Sequence, residues 1–342
     1  MTVDFCRLLI LRSAMLVVCS ANLVVSCQAL KRQQSEVKIA GGTPVEDGRY
    51  PEVIQFHSEN GVLFEEQCTG VFIDTQVILT AGHCVWKQAD AQLALKPTSY
   101  DPGDFEELPR KHIPNPYADD IAELEKNPGT QKVSFALTGE QGLPHNSHCF
   151  LVTPGWALGS GGPGSRHDLA MIFLDPKDQS KSVASRLTQP AVAGMKVTYV
   201  GYGWKEKFGV DHGIKREGLN QIGEVTKDGV IETYGGSTGR PMVREGDSGG
   251  PLYIDNKLAG IASALQYGVK KSVCDGTTCE DKVVDVGFHV DLTEQRTISF
   301  IDRGLQALKS GGIDPAAGKG CAPRNKSEFI RALQSKSYLG GS

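Results

Sequence analysis

Three short segments of the chain hold a histidine, an aspartate and a serine of the types used in acid–base and nucleophilic chemistry. They are Leu-Thr-Ala-Gly-His-Cys at His83, His-Asp-Leu-Ala-Met-Ile at Asp168 and Gly-Asp-Ser-Gly-Gly-Pro-Leu at Ser248. A serine hydroxyl is a weak nucleophile, so a base of near-neutral pKa must take its proton and a carboxylate must orient that base. The residue types predict attack by Ser248, with His83 as base and Asp168 as its orienting partner.

The segment around Ser248 is rich in glycine, which lets the backbone turn sharply. We expect the backbone N–H groups of Gly246 and Ser248 to converge there. Two such donors would stabilise an oxyanion formed when the serine attacks a carbonyl.

Each segment lies at the edge of a strand-like run, so a rigid β scaffold is expected to position the three loops. Short β-branched runs bounded by turn residues predict an all-β chain.

The polar, proline-rich stretch from Pro97 to Gly142 predicts surface loops. Helical periodicity is found at Leu292–Leu308, with Asp291 or Thr293 as candidate cap. The predicted strands are 53–56, 69–73, 77–80, 171–174, 196–202, 230–234, 252–254, 259–263 and 283–290.

The composition is that of an ordinary globular protein. The 342 residues include 36 Lys+Arg and 40 Asp+Glu, with 39% hydrophobic residues and a net charge of −4. Nucleic-acid binding needs a basic face, so this charge argues against a nucleic-acid partner.

Residues 1–29 predict a secretory signal peptide, because arginines precede an apolar stretch too short to span a bilayer. Two cleavage sites are open. A general signal peptidase would cut after Ala29, whereas Val24–Cys27 resembles a bacterial lipobox in which Cys27 is lipidated. Either site predicts a secreted or extracytoplasmic protein without a transmembrane segment.

Nine cysteines are present, and three of them lie in the predicted signal peptide. The six others form an even set in an exported chain, which predicts three disulfides among 15 possible connectivities. Their spacing does not match a metal site, so neither metal nor cofactor is expected.

The three motifs, in this order along the chain, resemble those of trypsin/chymotrypsin-like serine proteases from Ile39 to about Leu308. The resemblance implies two six-stranded antiparallel Greek-key barrels with a C-terminal helix. It also implies a monomeric endopeptidase that acts on peptide or protein substrates through an acyl-enzyme. The implied organisation is a signal peptide (1–29), a propeptide (30–38), a protease domain (39–309) and a C-terminal extension (310–342). Within the protease domain, the resemblance implies barrel 1 (about 39–186), barrel 2 (about 187–291) and a terminal helix (292–309).

The segment Lys38-Ile39-Ala40-Gly41-Gly42 resembles the activation site of the family's zymogens. The resemblance implies cleavage after Lys38 by a protease that prefers Lys or Arg. The new amine of Ile39 would then insert beside Asp247 and shape the oxyanion hole.

The resemblance assigns further residues. Ser263 matches the serine that hydrogen-bonds the catalytic aspartate, and Cys68–Cys84 matches a family disulfide. Cys274 and Cys279 are expected to pair locally, which leaves Cys149 with Cys321 by elimination.

The substrate pocket is expected at Met242, Ser263, Leu265 and Gly287. Met242 stands at the floor position where trypsins carry aspartate, so burying a Lys or Arg side chain there would leave its charge unpaired. Leu265 replaces a glycine of the pocket wall and narrows the entrance. Small apolar side chains are therefore expected before the scissile bond. Arg244, which replaces a wall cysteine, leaves open a preference for acidic side chains.

Two other functions fit the same residues. The altered pocket is compatible with a non-catalytic binding protein on a protease fold, although all three motif residues are present. The same acyl chemistry would also serve an esterase.

Overall fold

The structure is a computed structural model that describes residues 39, 42–59, 65–86, 132–136, 144–147, 149–157, 162–175, 180, 182–203, 214–275, 278–318, 320–321 and 331. The chain divides into Met1–Val37 and Lys38–Ser342, and all described residues lie in the second unit. The predicted signal peptide, Cys27 and the Lys38 cleavage site lie outside the described residues.

The described residues form fourteen strands, a 3₁₀ turn and two α-helices. They are β1 (Thr43–Pro44), β2 (Val53–Glu59), β3 (Glu65–Asp74), β4 (Val77–Thr80), the 3₁₀ turn (Gly82–Cys84), β5 (Lys132–Ala136), β6 (Pro144–Ser147), β7 (Cys149–Val152), α1 (Pro154–Ala157), β8 (Ala170–Phe173), β9 (Lys196–Gly201), β10 (Arg216–Val225), β11 (Val230–Gly236), β12 (Pro251–Ile254), β13 (Lys257–Asp275), β14 (Thr278–Asp291) and α2 (Gln295–Lys309).

The first sheet has the strand order β6-β5-β2-β3-β4-β8-β7, with every pair antiparallel. β6 and β7 are separated by one residue, so they are consecutive parts of one stretch that pairs first with β5 and then with β8. The sheet therefore returns on itself as a six-stranded barrel.

The second sheet has the order β1-β10-β11-β14-β13-β12-β9, and β9 also pairs with β10. This last pairing closes six strands into a barrel and leaves β1 as an added strand outside the ring. The predicted fold of two six-stranded antiparallel barrels is confirmed.

The C-terminal helix packs on the first barrel. Phe300 and Ile301 of α2 are buried in the same apolar cluster as the barrel's Leu151 and Met171. A Cβ at Gly304 would lie 2.6 Å from the Met171 sulfur, so a larger residue there would require the Met171 side chain to shift.

The helix begins later than the sequence predicts. Glu294 is the N-cap, and its side chain accepts hydrogen bonds from the backbone N–H groups of Arg296 and Thr297. Asp291 instead accepts from the backbone and hydroxyl of Thr293 and so forms a preceding turn. Both predicted caps, and the predicted start at Leu292, are therefore wrong.

Two other boundaries differ from the predictions. β5 lies within the stretch predicted to be loops, and it pairs with β2 and β6. The segment from Ile39 to Pro44 was expected in the first barrel. Instead β1 pairs with β10, and Ile39 is buried in the core of the second barrel.

Three disulfides are present among the described residues: Cys68–Cys84, Cys149–Cys321 and Cys274–Cys279. They are the pairs named above. Cys149–Cys321 joins the C-terminal extension to β7, and Ile313 of the extension is buried against the first barrel. In the described part of the chain, no helix is long and apolar enough to cross a membrane.

The second barrel buries a histidine on β14. His289 is fully buried and stacks on Tyr199 with ring centroids 5.3 Å apart. Its Nε2 lies 3.2 Å from the Thr233 hydroxyl. Burial lowers the pKa of His289 to about 3, because the charged imidazolium would lose its hydration.

This histidine makes stability depend on pH. Between pH 6.5, the ordinary pKa, and about 3, the unfolded chain binds a proton that the folded chain excludes. We therefore expect the free energy of unfolding to fall on acidification through this window, by up to about 1.4 kcal/mol per pH unit from this group.

Denaturant unfolding between pH 4 and 7 measures the effect. His289→Phe should flatten the slope, whereas Thr233→Val, which keeps the imidazole, should retain it. An unchanged slope in His289→Phe would contradict the prediction.

Candidate active site

His83 and Asp168 meet at one end of the first barrel. His83 follows β4 and Asp168 precedes β8, and these two strands are antiparallel neighbours. His83 Nδ1 lies 2.8 Å from Asp168 Oδ2, and the backbone N–H of His83 donates to Oδ1 at 2.8 Å. Because a carboxylate only accepts, it fixes the proton on Nδ1 and makes Nε2 the nitrogen that can act as base.

Asp168 is fully buried, and a residue of the second barrel also binds it. The Ser263 hydroxyl on β13 donates to Oδ2 at 2.5 Å and accepts from the backbone N–H of Gly164 at 2.8 Å. Three donors thus hold the carboxylate in place, which lets it orient His83 without moving itself.

Ser248 lies on the second barrel just before β12, but its loop is hydrogen-bonded to the first barrel through Thr69 of β3. The Thr69 N–H donates to the Ser248 carbonyl at 2.8 Å, and the Thr69 hydroxyl donates to the Gly246 carbonyl at 2.8 Å. The same hydroxyl accepts from the Tyr202 N–H at 3.2 Å.

The histidine side of the site touches the same loop. Cys84, the residue after His83, has its sulfur 3.7 Å from the Ser248 carbonyl. A Cβ at Gly249, whose φ is +81°, would overlap the Thr80 hydroxyl and the Thr69 carbonyl. Only glycine therefore allows the Ser248 loop to lie against the end of β4, which leads to His83.

Asp247 anchors the loop within the second barrel. It is 2% exposed and accepts from the Gly203 N–H at 2.7 Å and the Arg244 N–H at 2.8 Å. Burial raises the pKa of Asp247 to about 6, against the lowering effect of these two N–H groups and of the charges on Arg216 and Arg244.

Ile39, the expected activation partner of Asp247, is 1% exposed in the uncut chain. A Cβ at Gly218 of β10 would lie 2.7 Å from Ile39 Cγ2. A Cβ at Gly201 of β9 would overlap Asp247 Oδ1. Gly201 and Gly218 lie on adjacent, paired strands, so Ile39 and Asp247 pack on the same two-stranded ribbon.

Trp156 of α1 borders the site and was not expected from the sequence. Its indole lies 6.3 Å from the His83 ring between centroids and donates to the Trp86 carbonyl at 3.1 Å. A Cβ at Gly82 would lie 2.9 Å from the indole. A single tryptophan in a glycine-rich stretch gives no signal of this contact.

A cleft of ≈ 160 Å³ opens beside Ser248. Its rim carries a contact in which Arg244 donates to the Tyr267 hydroxyl at 2.8 Å and lies 5.3 Å from that ring's centroid. This contact joins β13 to the loop that precedes Ser248. The cleft is lined by Val243, Arg244, Glu245, Ser248, Ala262, Ser263, Ala264, Leu265 and Tyr267.

The residues expected to form the substrate pocket divide into two groups. Ser263 and Leu265 line the cleft. Met242 is fully buried and is not among the residues that line the cleft, and a Cβ at Gly287 would lie 3.1 Å from its Cε. Met242 and Gly287 thus pack against each other, and Gly287 pairs with Leu265 across the β13–β14 ladder.

One group of metal-binding residue types occurs in the described part of the chain, namely Cys68, His83 and Cys84. Both sulfurs are consumed by the disulfide between them, so no thiolate remains to bind an ion.

The Thr69 hydroxyl is expected to hold the Ser248 loop in place. Thr69→Val conserves shape but leaves the Gly246 carbonyl and the Tyr202 N–H without this partner, which should cost about 1–3 kcal/mol of unfolding free energy. Denaturant unfolding measures this loss. Thr75→Val, at an exposed threonine that bonds Asp74, is the matched control and should be near neutral. Equal stability of the two variants would show that Thr69 is not such an anchor.

Comparisons with known proteins relate the chain to one family. The sequence model of the Trypsin family matches residues 39–153 and 156–278. Trypsin eta of Drosophila erecta is 22% identical over 252 residues, which are 67% of this chain and 81% of that protein. Neuropsin, a serine protease expressed in the limbic system of mouse brain, aligns with a TM-score of 0.49 and 17% identity over 78% of this chain and 99% of that chain.

The family match covers more than half of the chain and includes His83 and Ser248. Asp168 also falls within it. The chain therefore belongs to the trypsin-like serine protease family.

Proposed function

We propose that the chain is an exported serine endopeptidase that hydrolyses peptide bonds through an acyl-enzyme on Ser248. The observation that carries the proposal is the His83–Asp168 hydrogen bond on the first barrel. Thr69 of the same barrel binds the Ser248 loop of the second barrel and holds it close to this pair. A base with a set tautomer and a loop serine beside it are the parts that nucleophilic catalysis needs.

In the first step, the Ser248 hydroxyl attacks the substrate carbonyl while His83 Nε2 takes its proton. The carbonyl oxygen becomes an oxyanion, for which the N–H groups of Gly246 and Ser248 are the proposed donors. The imidazolium then gives its proton to the leaving amine as the C–N bond breaks. Asp168 stabilises the transient imidazolium without taking the proton.

In the second step, water attacks the ester on Ser248 and His83 takes the proton of the water. The C–O bond to the serine breaks, His83 returns the proton to Ser248, and the carboxylic product leaves. No cofactor or metal enters either step.

The edge of β13 supports peptides as substrates. After Ile261, β13 pairs with β14 alone among the described strands. The backbone at Ser263–Leu265 therefore runs along the cleft and can pair with an extended peptide, a recognition mode that an ordinary small ester does not use.

We also propose that the protein is secreted as a monomeric zymogen. The three disulfides fit an oxidising compartment, consistent with removal of residues 1–29 as a signal peptide. Cleavage after Lys38 would free the Ile39 amine close to Asp247. The new ammonium would then strengthen the hold on the Ser248 loop.

Replacing the nucleophile tests the proposal directly. Ser248→Ala should remove peptidase activity and fluorophosphonate labelling without unfolding, because the change is small. Adding His83→Ala should cost little more, since the two residues act as a unit. Ser299→Ala, whose hydroxyl donates to the Gln295 carbonyl of the same helix α2, is the control and should remain active.

Three results would contradict this assignment. Near-normal activity in Ser248→Ala would show that another group is the nucleophile. A folded, cut wild type that is never labelled would favour a non-catalytic binding protein. Labelling with turnover of esters but of no peptide would favour an esterase.

Lys38→Gln tests activation. The variant should stay uncut at this bond and hydrolyse peptides at least tenfold more slowly than the cut protein, because the Ile39 ammonium is missing. N-terminal mass spectrometry with a peptidase assay measures both, and it also distinguishes a free N-terminus from a lipidated Cys27. Full activity of the uncut variant would show that activation does not depend on this bond.

The cleft predicts cleavage after small apolar side chains such as Ala, Val or Leu. The walls at Ala262, Ala264 and Leu265 are apolar and offer nothing to pair with Lys or Arg. The one carboxylate of the lining, Glu245, is exposed, so solvent screens its charge. A methylene in such a site is worth about 1–3 kcal/mol, so the preference should be graded.

Profiling on a peptide library measures this preference. Leu265→Gly should widen the entrance and raise cleavage after Phe or Tyr. Dominant cleavage after Lys or Arg would contradict the assigned pocket, and dominant cleavage after Asp or Glu would identify Arg244 as the specificity determinant.

A further inference from the structure

β13 and β14 form a hairpin that extends beyond the cleft beside Ser248. β13 has 19 residues and β14 has 14, and their pairing continues to Asp275 opposite Thr278. The Cys274–Cys279 disulfide links the two strands next to this last pair. Tyr267 is the last β13 residue that lines the cleft, so residues 268–275 lie past it.

One edge of this hairpin is covered. On the β14 side, β11 pairs as far as Gly236 opposite Val284. The next residue of the chain continues the contact, because the Ser237 hydroxyl donates to the Val283 carbonyl at 2.7 Å. The backbone on this side of the hairpin is therefore occupied up to Val283.

The other edge is open from Ser263 to Asp275, and we call this stretch the open edge. On this side β12 pairs with β13 only as far as Ile261, and none of the described strands pairs with it beyond that residue. Much of the open edge is also exposed to solvent. The exposed residues are Gln266, Tyr267, Gly268, Lys270, Ser272, Cys274 and Asp275.

Two observations show which backbone groups of β13 point outward. In an antiparallel ladder, opposed residues that do not hydrogen-bond each other have Cα atoms about 4.5 Å apart, against about 5.5 Å for bonded pairs, and their N–H and C=O groups point outward. The Cα atoms of Cys274 and Cys279 are 4.0 Å apart, which identifies such a pair. The Val283 carbonyl, bonded to Ser237, likewise points away from its opposite residue Lys270.

Lys270 and Cys274 are four residues apart in an unbroken register, so they share the same phase of the ladder. Backbone orientation alternates with a period of two residues, which puts Ser272 in this phase as well. Lys270, Ser272 and Cys274 therefore present their N–H and C=O groups at the open edge, spaced as an added strand would need them.

The open edge continues an edge that already holds the Ser248 loop. Ala262 donates its N–H to the Gly250 carbonyl at 2.8 Å, and its carbonyl accepts from the Gly249 N–H at 2.7 Å. A peptide attacked by Ser248 thus lies where the edge becomes open. Every strand pair of the second barrel is antiparallel. A peptide added in the same sense runs toward Ser248, so the residues before its scissile bond follow β13.

Contacts on the opposite face hold the outer part of the hairpin on the barrel. The Lys271 ammonium lies 2.6 Å from the Glu232 carboxylate of β11. Val273 is 8% exposed and packs in one apolar cluster with Tyr234 and Val284. A strand that is ordered before binding loses little conformational entropy when a peptide pairs with it.

The edge is better suited to a flexible peptide than to a second folded copy. The register of β13 shifts between Gln266 and Val269, where Gly268 has a φ of +68°. Such a bulge and a lysine such as Lys270 on an edge strand discourage pairing between the edges of folded sheets. A flexible peptide can adjust its backbone to the bulge, whereas a rigid strand cannot.

We propose that the open edge binds the substrate chain well ahead of the scissile bond, through backbone hydrogen bonds at Lys270, Ser272 and Cys274. This rests on the proposed function, because it prolongs the peptide strand that begins in the cleft. The substrate class is a protein with a long unstructured segment before the cleavage site. With the residue before the scissile bond opposite Ser263 and one β13 residue taken up by the bulge, Lys270 lies opposite about the seventh residue before that bond.

The kinetic test uses the cut protein and peptides with six, eight, ten or twelve residues before the same scissile bond. We expect kcat/KM to rise at least tenfold from six to twelve residues. Ser272→Pro removes an N–H at the open edge without breaking a bond to β14, and should lower the twelve-to-six ratio at least fivefold. Asp281→Pro, at the residue opposite Ser272 on the other strand, is the matched control and should keep the ratio.

A second test needs no variant of the protein and decides the proposal if Ser272→Pro does not fold. N-methylation removes one backbone N–H at a time from the twelve-residue peptide. Strand pairing uses the N–H of every second residue. Methylation at alternate positions beyond the sixth should therefore lower kcat/KM at least threefold, whereas methylation between them should stay within twofold.

Binding to the full chain with Ser248→Ala separates this proposal from the proposed function. Fluorescence anisotropy of labelled peptides should show affinity rising from six to twelve residues, and Ser272→Pro should remove the rise. If the wild type hydrolyses no peptide and this binding is nevertheless found, the proposed function fails and the open edge remains a peptide site.

Several outcomes would overturn the proposal. They are equal kcat/KM for the six- and twelve-residue peptides, equal ratios in Ser272→Pro and Asp281→Pro, and no alternation among the methylated peptides. A gain only from residues added after the scissile bond would also overturn it, because the peptide would then run in the other direction. A dimer of the wild type that Ser272→Pro abolishes would assign the edge to a second copy instead.

Discussion

The loop that carries Ser248 belongs to the second barrel, yet Thr69 of the first barrel fixes it through both its backbone N–H and its hydroxyl. His83 and Asp168 also belong to the first barrel, so any slip between the barrels would separate the proposed nucleophile, Ser248, from the proposed base, His83. Gly249 makes the contact tight, because a side chain there would strike Thr69 and Thr80. Catalysis requires the reacting side chains to be placed to within about half an ångström, so the proposed reaction depends on this contact between the two barrels.

Two buried aspartates support the site in opposite ways. Asp168 is surrounded by donors from both barrels and holds the imidazole of His83. Asp247 is held by two backbone N–H groups, and burial alone would favour its neutral form. A nearby positive charge therefore contributes more to keeping Asp247 ionised than it does for Asp168. Arg216 and Arg244 are the cations whose charges lower the pKa of Asp247 against the effect of burial.

The motifs carry most of what the sequence could predict. His83, Asp168 and Ser248 stand in short segments of unmistakable type, and the alternation of strands and turns predicts an all-β chain. The two barrels follow only from the family resemblance that the motifs carry. Arg216 could not be predicted, because it stands in a charged Lys-Arg-Glu run that is typical of a solvated surface. Its complete burial in the structure shows that it points inward. Thr69 is likewise one threonine in a strand, and β5 lies in a polar insertion whose pairing with β2 no local pattern signals.

The most direct test of the account is a crystal structure of the cut protein after reaction with a phosphonate inhibitor. The account predicts phosphorus bonded to Ser248 Oγ, and a phosphoryl oxygen about 2.7–3.1 Å from the N–H groups of Gly246 and Ser248. It also predicts His83 Nε2 facing the adduct, with Thr69 still bonded to the loop. An adduct on another residue, or His83 and Ser248 too far apart to share it, would contradict the account.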